Sequence, residues 1–166
     1  MTRNSPYDRF VLGEEGALDN IQKRGLVLFF TKAKCAACHS GPMFSDFRFV
    51  VQGVPQEGDG KEIIPGDDTG REEFTLASAD RYAFRTLTLR NVELTAPYMH
   101  GGVFETLEEV VQFYNDGAQP RHPAVSDELD RLVSPLNSVR LSRRRWVPWT
   151  YLWERARLRA GPGRWV

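Results

Sequence analysis

The sequence is poor in cysteine and histidine and contains no long apolar run. It has two cysteines and three histidines in 166 residues, so a structural disulfide has only one pair to join. No run of about 18 apolar residues occurs, which excludes a membrane-spanning helix. The first residues are polar and lack the apolar segment of a secretory signal.

Both cysteines lie in one short motif, CAACH at positions 35–39. Two cysteines two residues apart and followed by histidine are the attachment sequence of c-type haem. Cys35 and Cys38 would form thioethers, and His39 would be the proximal iron ligand. A thioredoxin-like motif normally follows a strand, whereas this one follows a predicted helix. Half of a zinc site would have only His100 and His122 as further ligands. Chance is the third alternative, and the five-residue match favours haem.

Charge is distributed unevenly along the chain. Residues 1–139 hold 14 Lys and Arg against 21 Asp and Glu, a net of −7, whereas 140–166 hold eight Arg against one Glu. All four tryptophans lie in that last segment. It has two interpretations, a basic aromatic arm for nucleic acid or anionic membrane, or out-of-frame translation of GC-rich DNA. Pro148 and Pro162 would break a long amphipathic helix and favour the second.

The sequence therefore predicts one domain over residues 1–140, an atypical Arg/Trp-rich tail over 141–166 that is disordered or out of frame, and no nucleic-acid partner. Apolar spacing predicts a helix over 17–32. An exposed lead-in with turn residues is expected over 5–15, and a loop or short strand over 44–54. Residues 56–81 are predicted to form a long surface loop. The expected fold class is mostly α, a c-type cytochrome domain with long irregular loops.

A second helix is predicted from Thr106 to Gly117. Thr106 and Glu109 form a capping-box pattern, and Gly117 suits a left-handed C-terminal cap. Residues at i, i+3, i+4 and i+7 share one inward face: Leu107, Val110, Val111 and Tyr114. A core tyrosine bonded to a nearby carbonyl is the ordinary interpretation of Tyr114. A haem in the same core favours a second interpretation, in which Tyr114 is an axial phenolate ligand of the iron.

Residues 5–140 resemble the C-terminal haem domain of the bacterial di-haem cytochrome c peroxidases, especially the MauG-type branch. The matching segments are KRGLVLFF (23–30), CAACHSGP (35–42), FRT (84–86), LRNV (89–92), LTAPYMH (94–100) and TLEEVVQFYN (106–115). The resemblance implies a mostly helical protein with two c-type haem domains and a calcium ion between the haems.

The resemblance also implies ligands. The sixth haem ligand is methionine in the peroxidases and tyrosine in the MauG-type enzymes, and its position falls on Tyr114. The calcium ion takes backbone carbonyls at the positions of Thr95 and Pro97, donors that suit this hard cation.

Four further polar residues each keep two interpretations. Arg85 and Arg90 are candidates for pairing with haem propionates, and solvated surface arginines are the alternative of equal weight. His100 lies in the family's loop near the haem, where it either touches the haem or only packs. His122 is expected to be a loop or hydrogen-bonding histidine.

The sequence also departs from the family pattern. Leu87 replaces a usual proline, and Gly101 replaces a usual Asp or Asn. The N-terminal haem domain, which carries the peroxide-binding haem, has no counterpart in these residues. Because c-type haem is normally attached outside the cytoplasm, the polar start predicts that Met1 is not the start of the ancestral protein.

We therefore predict a haem c-binding electron-transfer domain with one covalent haem c, and with calcium as a further expected ligand. By resemblance it is periplasmic, and its partners are a second haem domain and an electron-donor protein, a small cytochrome or cupredoxin. Hydrogen peroxide is the substrate in the complete family, and enzyme activity of this chain stays open. The alternatives are a stand-alone mono-haem electron carrier with Met99 as ligand, or a non-functional gene fragment.

Overall fold

The computed structural model describes residues 4–58, 60, 66–119 and 122. These residues fall into two compact units, 4–34 and 35–122, that meet in sequence between Lys34 and Cys35. The described part contains four α-helices, several short 3-10 turns and one two-stranded sheet, joined by long loops. The mostly α fold class is confirmed. The predicted tail over 141–166 lies outside the described residues.

The first unit begins with helix α1, Pro6–Val11. The Ser5 hydroxyl accepts a hydrogen bond from the Asp8 amide at 3.2 Å, and the Asp8 carboxylate accepts from the Ser5 amide at 3.0 Å. Pro6 stands at the first helical position, where its missing N–H costs nothing. The prediction of an exposed lead-in is therefore wrong here, because Ser-Pro-x-Asp is itself a helix start signal.

Helix α2, Asn20–Phe30, confirms the helix predicted over 17–32, with later bounds. Residues 15–17 form a separate 3-10 turn, and Asp19 caps α2. The Asp19 carboxylate accepts from the amides of Ile21 and Gln22, both at 2.8 Å. The buried residues of α2 are Gln22, Gly25 and Phe29, which follow the helical period along one stripe.

The second unit contains strands β1, Phe49–Val50, and β2, Phe84–Arg85. They pair antiparallel, with Phe49 opposite Arg85 and Val50 opposite Phe84. The short strand predicted within 44–54 is confirmed. The buried hydrophobic residues of this unit come from segments far apart in sequence: Phe44, Val50, Val51, Tyr82, Ala83, Phe113 and Ala118.

The loop predicted over 56–81 is partly wrong. It contains helix α3, Glu72–Thr75, and a 3-10 turn at residues 78–80. The Gln56 side chain also ties the start of the segment to Asp68. Its Nε2 donates to the Asp68 carbonyl at 2.6 Å, and its Oε1 accepts from the Asp68 amide at 2.8 Å. A four-residue helix is too short to leave a periodic pattern, which explains the error.

Helix α4, Leu107–Asn115, confirms the predicted helix and both of its ends. Glu109 donates its amide proton to the Thr106 hydroxyl at 3.2 Å and accepts from the Thr106 amide at 3.0 Å. Gly117 follows with a φ of 72°. The fully buried side chain of α4 is Phe113, at 2% exposure. The predicted inward residues are half-buried beside it: Leu107, Val110, Val111 and Tyr114.

No helix in the described part of the chain is long and apolar enough to cross a bilayer.

Candidate cofactor site

The CAACH motif forms one tight turn. Cys38 and His39 both donate their backbone amides to the Cys35 carbonyl, at 3.3 and 2.9 Å. Side chains three residues apart lie on the same side of such a turn. Cys35 and Cys38 are half-buried thiols in the structure. The turn therefore places both thiols on one side, and His39 follows Cys38 directly in the chain.

The imidazole of His39 is held in one orientation by the chain that follows it. Its Nδ1 lies 3.0 Å from the carbonyl oxygen of Phe44. A carbonyl only accepts, so Nδ1 donates, and Nε2 carries the lone pair that a metal needs. Burial lowers the pKa of His39, while the Phe44 hydrogen bond, the Asp46 charge and the Leu87 backbone oppose that shift. The environment thus favours the neutral, ligating form.

The thiol of Cys35 also stays uncharged. Burial raises its pKa from 9.0 to about 11, and the neighbouring Cys38 adds to the shift, against a hydrogen bond with the backbone of Cys35 itself. A buried thiol holds its proton because the thiolate loses hydration there.

Tyr114 brings helix α4 to this motif. Its hydroxyl donates a hydrogen bond of 2.6 Å to Oε1 of Gln52. Burial raises the pKa of the hydroxyl, and the proximity of Cys35 and Cys38 raises it further. Tyr114 therefore lies near both cysteines, and its role as an iron ligand stays a prediction. Sequence reasoning missed Gln52, whose only signal is a polar side chain between buried Val51 and Gly53.

The donor set fits haem better than a bare metal ion. Among residues 4–58, 60, 66–119 and 122, no group of three or more His, Cys, Asp or Glu side chains converges to hold a metal. Covalent haem needs less, namely two thiols at CxxC spacing and one imidazole with an available nitrogen. The protonated thiol of Cys35 and the fixed tautomer of His39 meet that need.

Two predicted propionate partners have other contacts in the structure. Arg90 Nε donates to the Pro42 carbonyl at 2.8 Å, and its guanidinium lies 5.2 Å from the Phe44 ring centroid. Exposed Arg85 stacks over the Phe47 ring at 4.9 Å. Both lie in the unit that contains the motif, and their pairing with propionates stays a prediction.

The predicted calcium ligands lie in an exposed loop. Thr95 and Pro97 are both exposed, and the Thr95 hydroxyl donates to the Val92 carbonyl at 2.9 Å. Met99, the alternative iron ligand, is half-buried a few residues later. Calcium at the two carbonyls stays a prediction.

The two remaining histidines pair with adjacent aspartates. His100 Nε2 lies 2.9 Å from Asp68 Oδ2, and its ring stacks on Phe84 with centroids 4.0 Å apart. His122 Nε2 lies 3.3 Å from Asp67 Oδ1, and the His122 amide donates to the Gly53 carbonyl at 2.9 Å. These pairs tie residues 67–68 to His100 and His122, and contact between His100 and haem stays a prediction.

No protein-family model matches the chain. Curated relatives do match it. Methylamine utilization protein MauG of Methylorubrum extorquens is 41% identical, over 75% of this chain and 33% of that protein. Cytochrome-c peroxidase IdrP2 of Pseudomonas sp. (strain SCT) is 38% identical, over 70% and 37%. Cytochrome c551 peroxidase of Pseudomonas aeruginosa is 34% identical, over 84% and 39%.

Solved structures give the same picture. A MauG-like protein associated with microbial copper homeostasis aligns with a TM-score of 0.69 and 28% identity, over 83% of this chain and 47% of that one. The diheme peroxidase BthA from Burkholderia thailandensis aligns with a TM-score of 0.60 and 26% identity, over 87% and 41%. This chain therefore spans less than half the length of each of these relatives.

Proposed function

This chain belongs to the family of the bacterial di-haem cytochrome c peroxidases and MauG, and on that premise we propose that it is a haem c-binding electron-transfer domain of a peroxidase-like oxidoreductase. The observation that carries the proposal is the turn at residues 35–39. It presents two thiols at CxxC spacing, followed directly by an imidazole whose Nδ1 is already engaged by the Phe44 carbonyl.

Each residue of the turn has a separate role. Cys35 and Cys38 provide the sulfur atoms of two thioether bonds, which hold the cofactor permanently. His39 offers Nε2 to the iron, and the hydrogen bond at Nδ1 raises the basicity of the ring. Bound haem supplies a one-electron ferric–ferrous couple.

Tyr114 is the proposed second axial ligand. It lies by the cysteines and would bind as phenolate after giving up its hydroxyl proton. Without iron, burial holds that proton in place, and the Gln52 side chain accepts it in a hydrogen bond. A bound iron cation would reverse this preference, because its charge would favour the anion. An anionic ligand favours ferric iron and lowers the reduction potential.

The wider function rests on the relatives. In this proposal the domain operates in the periplasm beside a second haem domain, where hydrogen peroxide is reduced. A small cytochrome or cupredoxin supplies electrons. A calcium ion binds at the carbonyls of Thr95 and Pro97, since carbonyl oxygen suits this cation. Arg85 and Arg90 pair with the haem propionates.

The test is haem attachment in the full chain, produced in a periplasm with active cytochrome c maturation. We expect a mass increment of one haem and a colour that survives denaturation and acid-acetone extraction, because thioethers do not dissociate. The variant lacking both Cys35 and Cys38 should carry no retained haem. Cys35→Ala should keep one thioether at most. Extraction of all pigment from the mature wild-type protein would contradict the proposal.

A further inference from the structure

Three successive backbone carbonyls after the CAACH motif each accept a hydrogen bond from a different side chain. Arg90 Nε donates to Pro42 at 2.8 Å, and the Thr88 hydroxyl donates to Met43 at 2.6 Å. The third carbonyl, that of Phe44, accepts from His39 Nδ1 at 3.0 Å. The carbonyl that orients the histidine is thus the last of a row held from residues 88 and 90.

The carbonyls belong to a second turn, residues 41–45, whose conformation needs stabilising contacts from other parts of the chain. Phe44 has a φ of 50°, a left-handed conformation that a bulky residue rarely adopts. Within the turn, the Phe44 amide donates to the Gly41 carbonyl at 3.1 Å. The side chain of Phe44 is 6% exposed, and the guanidinium of Arg90 lies over its ring. Arg90 therefore contacts the turn through both a carbonyl and the buried ring.

The segment that donates is itself held in place. The Thr88 hydroxyl accepts from the Arg90 amide at 3.1 Å while it donates to Met43, so one oxygen joins both residues. At the other end, the Ser45 hydroxyl donates to the Thr86 carbonyl at 2.8 Å. Residues 86–90 thus meet the turn along its whole length.

We propose that Thr88 and Arg90 are positioning residues for His39. They hold the Pro42 and Met43 carbonyls, and so aim the Phe44 carbonyl at Nδ1 and keep Nε2 available to iron. The part that concerns iron rests on the proposed function, whereas the part that concerns the tautomer does not. Arg90 acts here through its Nε–H geometry, which a lysine with the same charge does not reproduce.

The first experiment reads the tautomer of His39 in the full chain without haem. Two-bond nitrogen–proton correlation spectra of histidine-labelled protein distinguish the two tautomers, at a pH where the ring is neutral. We expect the Nδ1–H form to predominate in the wild type. Thr88→Val and Arg90→Lys should shift the population toward Nε2–H, whereas Thr88→Ser, which keeps the hydroxyl, should not.

Thr75→Val and Arg81→Lys are the matched controls, because they make the same changes at residues that do not contact the carbonyls of residues 42–44. Both should leave the His39 signals unchanged. Wild-type tautomer ratios in folded Thr88→Val and Arg90→Lys would overturn the proposal. Unfolding of both variants would also overturn it, since a positioning role predicts a folded chain with an altered ring.

The second experiment measures the reduction potential of the haem-loaded protein. A weaker Nδ1 hydrogen bond makes the imidazole less basic and favours ferrous iron. The potential should therefore rise in Thr88→Val and Arg90→Lys and stay unchanged in Thr88→Ser. In the double variant the reduction potential should rise by less than the sum of the two single-variant increases, because both residues act through the same row of carbonyls. If the wild type binds no haem, the proposed function fails while the tautomer result still decides this inference. An unchanged potential in both loaded variants overturns the inference alone.

Discussion

The hydroxyl of Tyr114 donates a 2.6 Å hydrogen bond to the side-chain oxygen of Gln52, which stands 62 positions earlier in the chain. This bond joins helix α4 to the segment that leaves strand β1. Tyr114 is also close enough to Cys35 and Cys38 for both to raise the pKa of its hydroxyl. Tyr114 therefore links helix α4 with the CAACH turn.

Removing that hydroxyl should destabilise the chain without haem. Tyr114→Phe leaves the Gln52 oxygen without its donor, and the free energy of unfolding should fall by about 1 kcal/mol. Urea denaturation followed by circular dichroism measures the change. Tyr98→Phe is the matched control, because the Tyr98 hydroxyl lies 3.5 Å from its acceptor, the Glu93 carbonyl, and should cost less. An equal loss in both variants would show that the Gln52 bond is not special.

The capping box of α4 offers a local test of stability. Thr106→Ala removes the acceptor of the Glu109 amide, and loss of such a cap costs about 1 kcal/mol. Thr106→Ser keeps the hydroxyl and should retain most of the stability. A loss in Thr106→Ser as large as that in Thr106→Ala would show that the methyl group, and not the cap, is responsible.

Alkaline pH should weaken the chain without haem. Folding raises the pKa of Cys35 from 9.0 to about 11 and also raises the pKa of Tyr114 above 10.0. Both groups are neutral when protonated, so the unfolded chain loses these protons first as pH rises. The stabilisation is fully present below about pH 9 and is lost as pH climbs through the folded values. The free energy of unfolding measured between pH 8 and 11 should fall less steeply in the double variant Cys35→Ala, Tyr114→Phe.

Local signals predicted the start of α4, because the Thr106–Glu109 pattern depends on residues within one helical turn of each other. The CxxCH spacing is an equally local signal, and the haem attachment that it indicates stays a prediction. The Ser5–Asp8 capping box of α1 is an equally local sequence signal, and it was missed. Phe113 was missed because the apolar period placed the inward face one position away from it.

Long-range pairs were beyond the sequence. Gln52 with Tyr114, and Thr88 with Met43, join loops that carry no periodic pattern, and a polar residue in a loop does not identify its partner. The positive φ of Phe44 could not be predicted from the sequence either, since bulky residues rarely adopt a left-handed conformation. Such features arise from tertiary contacts that override local propensity.

The chain on its own should be a poor peroxidase. Peroxide cleavage needs an open iron position beside an acid–base group, and ligation by both His39 and Tyr114 leaves none. Steady-state oxidation of a reduced electron-donor dye by hydrogen peroxide measures this, with free haem as the reference. Fast turnover by the purified wild-type chain, without a second haem domain, would contradict the proposed coordination.

The axial ligand separates the MauG-like interpretation from that of a small electron carrier. In the haem-loaded protein, Tyr114→Phe should lose six-coordination and raise the reduction potential, because a phenolate stabilises ferric iron and a phenyl ring does not bind it. Met99→Leu should leave both the ferric spectrum and the potential unchanged, and it is the matched control. Optical spectra and redox titrations of the three proteins decide the matter. A methionine–iron charge-transfer band that persists in Tyr114→Phe and disappears in Met99→Leu would assign the ligand to Met99. A thioether ligand favours ferrous iron, so the potential would then fall in Met99→Leu and stay constant in Tyr114→Phe.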